Sequence, residues 1–104
     1  MTRKDLLLIQ LGEEACEVSQ AVSKQMRFGP NNKYPTQDDE TAGNRVVTEL
    51  IDLFALIDMC CNEGIIPSEV LSDFDKVMEL MELKKQKVEK FLEYSRDKGI
   101  LTTE

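Results

Sequence analysis

The chemistry of this sequence begins with five carboxylates. Glu13, Glu14 and Glu17 stand at i, i+1 and i+4. At about 100° per residue they share one arc of a helix, roughly a quarter of its circumference, bordering its apolar face. Glu49 and Asp52 stand at i and i+3, one turn apart on one side of a second helix. The surroundings of this second pair are unusual: Val46-Val47-Thr48-Glu49-Leu50-Ile51-Asp52-Leu53-Phe54-Ala55-Leu56-Ile57 is apolar nearly all round. A helix of that kind is normally buried, and a buried ionised carboxylate is costly unless something pairs it. Arg45 reaches Glu49 at best, and no other Lys or Arg follows before Gly64. Two acids without counter-ions on their own helix, opposite three more on a neighbouring one, describe a site for a hard cation. Mg2+ and Mn2+ take oxygen ligands in octahedral geometry and keep waters and substrate phosphates in their shell. Either acidic motif alone is common on a solvated helix face. The combination, with its second half inside an apolar helix, carries the reading.

The overall charge bears on the same question. With 20 acidic and 13 basic residues the formal net charge is −7, which argues against nucleic acid or an anionic membrane surface as the main partner. Bare phosphates would be repelled too, and bound divalent cations would invert the local field. Histidine is absent, which removes the usual ligand of zinc sites and of Glu-x-x-His di-iron bundles, and the usual general base. Cys16, Cys60 and Cys61 make no disulfide framework and fit a reducing compartment as small core residues. Every apolar run is too short or too interrupted to span a membrane. The opening stretch is too brief for a secretory segment and runs into Glu13 and Glu14. The expected location is cytoplasmic.

Positioning the acids requires helices. At 104 residues, with 41% hydrophobic and 32% charged side chains, the chain reads as a single domain over 1–104. The first helix is predicted from an N-cap at Thr2, with Asp5 in the first turn, to about Arg27. Its stripe is Leu8, Leu11, Ala15, Val18, Val22 and Met26, and Phe28-Gly29-Pro30-Asn31-Asn32 ends it. A polar loop holding Pro35 and Asp38-Asp39-Glu40 follows, longer than most connections in helical bundles. The second helix is predicted from Thr41–Asn44 to about Glu63, with Gly64 as a left-handed cap. The third is predicted from Pro67-Ser68-Glu69 to Arg96–Gly99, with Val70, Phe74, Val77, Met81, Val88 and Phe91 as its stripe, broken at Lys84. The fold class is therefore all-α, a helical bundle of three main helices. An all-round apolar second helix leaves faces that one copy does not cover, so the bundle is expected to be completed by oligomerisation.

Glu13-Glu14-Ala15-Cys16-Glu17 followed by Glu49-Leu50-Ile51-Asp52 resembles the Glu-Glu-x-x-Glu and Glu-x-x-Asp pattern of the MazG-like, all-alpha nucleoside triphosphate pyrophosphohydrolase family. Gln20–Gly29 and Lys87–Arg96 resemble the end of the first helix and the C-terminal helix of its small, phage-type single-domain members. The resemblance implies Mg2+-dependent hydrolysis of a nucleoside triphosphate to monophosphate and pyrophosphate, with Mn2+ as substitute. It implies Glu14, Glu17, Glu49 and Asp52 as metal ligands, and Glu13 as a ligand or a neighbour of one. Glu13 or Glu17 would take the proton of the attacking water. The stretch from Phe28 to Gly43 is long for the family, so substrate selection does not transfer with the motif; this loop is a candidate lid or base-selecting element.

Lys24 and Arg27 follow the acidic motif and are candidates for phosphate oxygens, although Lys24 also lies close in angle to Glu17 on the same helix, where an intrahelical ion pair is the plainer role. Asn44 and Asn62 are candidates for ribose or base, with helix capping as the plainer role. Lys84-Lys85-Gln86-Lys87 reads as a solvated face, or as a phosphate contact made from a neighbouring subunit. Two other functions compete. One is a non-enzymatic helical dimerisation or adaptor module, which leaves Glu49 and Asp52 unexplained. The other, within the family, is a dedicated dUTP or phosphoribosyl-ATP pyrophosphatase.

Overall fold

A computed structural model describes residues 1–33 and 40–102. The expected loop acids Asp38 and Asp39, and Pro35 with them, lie outside the described residues. Three helices account for most of what is described: α1 (Arg3–Phe28), α2 (Ala42–Asn62) and α3 (Phe74–Asp97). Among the described residues the fold is all-α. The chain divides into two compact units, 1–66 and 67–104.

In the first unit α1 and α2 form an antiparallel hairpin. Thr2 caps α1 reciprocally: its hydroxyl accepts from the Asp5 N–H at 3.2 Å, and its own N–H donates to Asp5 Oδ2 at 2.9 Å. At the same end of the hairpin, Arg3 grips Glu63 through Nε at 3.1 and 3.2 Å and through Nη2 at 2.9 Å. One turn inward, Cys60 is fully buried, with Sγ 3.9 Å from the Leu7 carbonyl. At the far end Gly29, at φ +85°, leaves the helix in a conformation that disfavours a side chain. The loop's two ends are then tied together. The Gly43 N–H donates to the Pro30 carbonyl at 2.9 Å and the Ala42 N–H to the Asn32 carbonyl at 2.7 Å, with a bridge between Lys33 and Thr41. Thr41 caps α2 by accepting from the Asn44 N–H.

The covered positions of α1 are Leu7, Leu11, Glu14, Val18, Ala21, Gln25 and Phe28, and those central to α2 are Ala42, Val46, Glu49, Leu53, Leu56 and Cys60. Steps of four and three alternate on both helices, as in a heptad seam. Two expectations are corrected by this register. Leu11 and Val18 face α2 as predicted, but Leu8, Ala15, Val22 and Met26 of the proposed stripe are exposed. The expected stripe is offset by about one position from the packed face, which runs through Glu14. Likewise α2 is not covered all round, because α1 occupies one side only. Val47, Ile51 and Phe54 are 53%, 57% and 60% exposed.

In the second unit, residues 67–68 are irregular and 69–72 make a turn, rather than the predicted first turns of a helix. Ser72 directs both its N–H and its hydroxyl to the Ser68 carbonyl. Asp73, in extended conformation, then caps α3 by accepting from the Lys76 N–H at 3.1 Å. The expected start at Pro67-Ser68-Glu69 is thus too early: Asp73, with Asp75 behind it, is the stronger capping signal. Gly99, at φ +75°, ends the helix, and the Ile100 N–H returns to the Ser95 carbonyl at 2.8 Å. No residue of α3 is buried, and its Phe74 and Phe91 are largely exposed. Among the described residues no helix is long and apolar enough to cross a membrane.

Candidate metal centre

The seam register turns two sequence motifs into one site. Glu14 is half-buried on α1, Glu49 is 5% exposed on α2, and Asp52, one turn further along α2, sits at the exposed edge. One carboxylate oxygen from each lies within 4.8 Å of the others. The donor set is all oxygen and all anionic, which suits a hard divalent cation. Adjacent oxygens around octahedral Mg2+ are about 2.9 Å apart and opposite ones about 4.1 Å, from the metal–oxygen distances of that ion. The 4.8 Å limit on the three oxygens is wider than both spacings, so sharing one such ion would draw the carboxylates inward.

The electrostatics match this geometry. Burial pushes the Glu14 carboxyl above its ordinary value, and repulsion from Asp52, then Glu17, Glu49 and Glu13, pushes it the same way. Contrary to the expectation of two acids without counter-ions on their own helix, Glu49 has one in Arg45, whose Nη2 lies 3.1 Å from Oε1, because the two stand at i and i+4 on α2. Arg45 also approaches Glu40, with Nη1 at 3.4 Å from Oε2. Thr48 donates its hydroxyl to Glu40 Oε1 at 2.6 Å. That bond, with Arg45 behind it, holds the Glu40 carboxyl below its ordinary value. In the sequence Glu40 stands only as the end of an acidic loop run. Its position one residue before the Thr41 cap was the available signal, since a residue there lies beside the first turns of α2.

The remaining candidates fall in several places. Glu13 and Glu17 are exposed on α1 and lie outside the group of three, although both act electrostatically on Glu14. Together with Ile9, Gly12, Cys16 and Gln20 they line an open depression along that helix. Lys24 and Arg27 are exposed towards the C-terminal end of α1, and the Arg27 guanidinium stacks 5.1 Å from the centre of the Phe28 ring. Asn44 is exposed in the first turn of α2; its N–H is taken by the Thr41 cap and its carbonyl oxygen lies 3.1 Å from the Thr48 hydroxyl oxygen. Asn62 donates from Nδ2 to Asp58 at 3.3 Å. Lys84, Lys85 and Lys87 are exposed on α3.

Comparison with family models, with curated proteins and with solved structures gives no match.

Proposed function

We propose that the protein is a cytoplasmic, Mg2+-dependent nucleoside triphosphate pyrophosphohydrolase, acting on one or more (d)NTPs to give the monophosphate and pyrophosphate. The observation that carries this reading is the convergence of Glu14, Glu49 and Asp52 from two separate motifs on two helices. The resemblance of those motifs to the MazG-like pattern supplies the reaction class. In this reading the three carboxylates hold Mg2+, with Mn2+ able to substitute. The cation would offset triphosphate charge and make a nearby water more acidic.

The chain's own residues do the rest. Glu13 or Glu17, outside the group of three and close enough to Glu14 to repel it, accepts the proton of the attacking water. Lys24 and Arg27 contact the β- and γ-phosphate oxygens, Arg27 by its planar fork. Asn44, exposed beside the loop exit, contacts ribose or base. A nucleotide panel read out by pyrophosphate release tests this, and it also separates a general enzyme from a dedicated dUTP or phosphoribosyl-ATP pyrophosphatase. The expected result is pyrophosphate formation that needs Mg2+ or Mn2+ and stops in excess EDTA. Orthophosphate as the product, or full activity in EDTA, would refute the mechanism.

A second reading, a helical dimerisation or adaptor module without catalysis, is favoured by the exposed Val47, Ile51 and Phe54 of α2. An adaptor should melt at the same temperature with and without Mg2+. The enzyme should gain stability, by about 2.7 kcal/mol at a hundred times the dissociation constant.

A further inference from the structure

Glu49 is the one buried charged side chain among the described residues, and it occupies a seam position of α2. Burial there is tolerable because a cation lies one turn back: Arg45 Nη2 is 3.1 Å from Glu49 Oε1. Arg45 is also the only basic residue of α2. A single pair of this kind on an open helix would hold a long side chain loosely. Here the guanidinium is engaged from two sides, with Nη1 3.4 Å from Glu40 Oε2. Glu40 is in turn fixed by the Thr48 hydroxyl, 2.6 Å from its other oxygen. Thr48 precedes Glu49 directly, so the set closes on itself: Thr48 to Glu40, Glu40 to Arg45, Arg45 to Glu49. The planar fork of arginine suits such a two-sided bridge, whereas an ammonium offers a point charge.

We propose that Arg45 is a positioning residue for the acidic centre, holding one oxygen of Glu49 so that the carboxylate is set towards Glu14 and Asp52, with Glu40 and Thr48 locking Arg45 in that role. The inference rests on the metal reading given above. Groups that orient a metal ligand without touching the ion typically change metal affinity by about 10–100-fold when removed. Orientation here also limits the rotamer freedom that Glu49 would otherwise lose on binding.

The test is Mn2+ binding, followed by the loss of the free-ion electron paramagnetic resonance signal, in wild type, Arg45→Met, Arg45→Lys and Glu40→Gln. Metal-free melts and circular dichroism run on the same samples establish folding. Arg45→Met should weaken Mn2+ binding by at least tenfold. Arg45→Lys should recover part of the affinity, because it restores the charge beside Glu49 but not the bridge. Glu40→Gln, which leaves Arg45 in place, should weaken binding by a smaller factor. If Arg45→Met does not fold, the lysine and Glu40 variants decide the matter by the same order of affinities. Wild-type binding with all folded variants unchanged overturns the positioning role alone. Tighter binding in Arg45→Met also overturns it, since Arg45 would then act merely as a competing positive charge. A wild type that binds no Mn2+ overturns the metal reading itself, and this inference with it.

Discussion

Glu14 fills a seam position that an apolar side chain would ordinarily take, and this adds a pH dependence to the stability of the metal-free protein. Its carboxyl is held above the ordinary value, first by burial and then by Asp52 and the other acids. The stability linked to this group is therefore full below the ordinary carboxylate range and is lost as pH rises through Glu14's own folded value. Glu14→Gln should raise the metal-free melting temperature near neutral pH by more than it does in acidic solution. Asp52→Asn, at the exposed edge, should act in the same direction but less. Glu49→Gln should do the opposite, because it breaks the ion pair with Arg45 in a buried place. All three should lose activity and most of the Mg2+-induced gain in melting temperature. Melts across pH, with and without Mg2+, check this, and equal metal responses in wild type and variants would remove these acids from the site. Both motifs were legible from residue type and spacing. That Glu14, rather than Glu13 or Glu17, enters the seam was not, because three acids on one arc differ only in their angle to a helix whose position the sequence pattern does not give.

At the scale of elements, the α1–α2 hairpin is held by few fully buried side chains, so its ends carry weight. Leu7→Ala at the Cys60 end should cost about 2–5 kcal/mol in denaturant unfolding. Gly43→Ala tests the opposite end: a Cβ there would meet the Pro30 carbonyl oxygen at 2.9 Å. A crowding cost of about 1–3 kcal/mol is expected, and an unchanged midpoint would mean that the loop exit gives way easily. Arg3 keeps the Glu63 carboxyl below its ordinary value, chiefly by hydrogen bonding. The associated stability is present above the ordinary carboxylate value and lost as pH falls through the folded one. Glu63→Gln should therefore narrow the gap in melting temperature between neutral and acidic solution. The spans of α1 and α2 were readable because Thr2, Thr41 and the glycines punctuate them. The start of α3 was not, since Pro67-Ser68-Glu69 has the composition of a helix start while Ser72 bonds backwards and Asp73 caps better.

For the whole molecule the unresolved demand is apolar surface. Val47, Ile51 and Phe54 on α2, and Phe74, Phe91 and Tyr94 on α3, are each more than half exposed. Solvent contact of this extent is unfavourable for a free chain and is relieved when a second copy covers it. Static light scattering at micromolar concentration should give at least twice the mass of one chain. Phe54→Asp should shift the population towards monomer and lower the melting temperature; a wild-type monomer would refute self-association. Sequence pattern predicted a surplus of apolar surface in α2. Its location on one side became clear only once α1 occupied the other, because a helix apolar nearly all round carries no mark of which face its neighbour takes.

The paired backbone bonds where the loop leaves α1 and enters α2 have a consequence for exchange of sequence. Pro30 with Gly43, Asn32 with Ala42, and the Lys33–Thr41 bridge fasten the hairpin before the intervening segment begins. Beyond that fastening, added chain length adds little closure entropy, about 0.6 kcal/mol for each doubling. Chain of different length and composition can therefore be exchanged between Lys33 and Glu40 while Thr41 still caps α2. Under the proposed function, nucleotide panels run on such chimaeras test whether this stretch sets nucleotide preference.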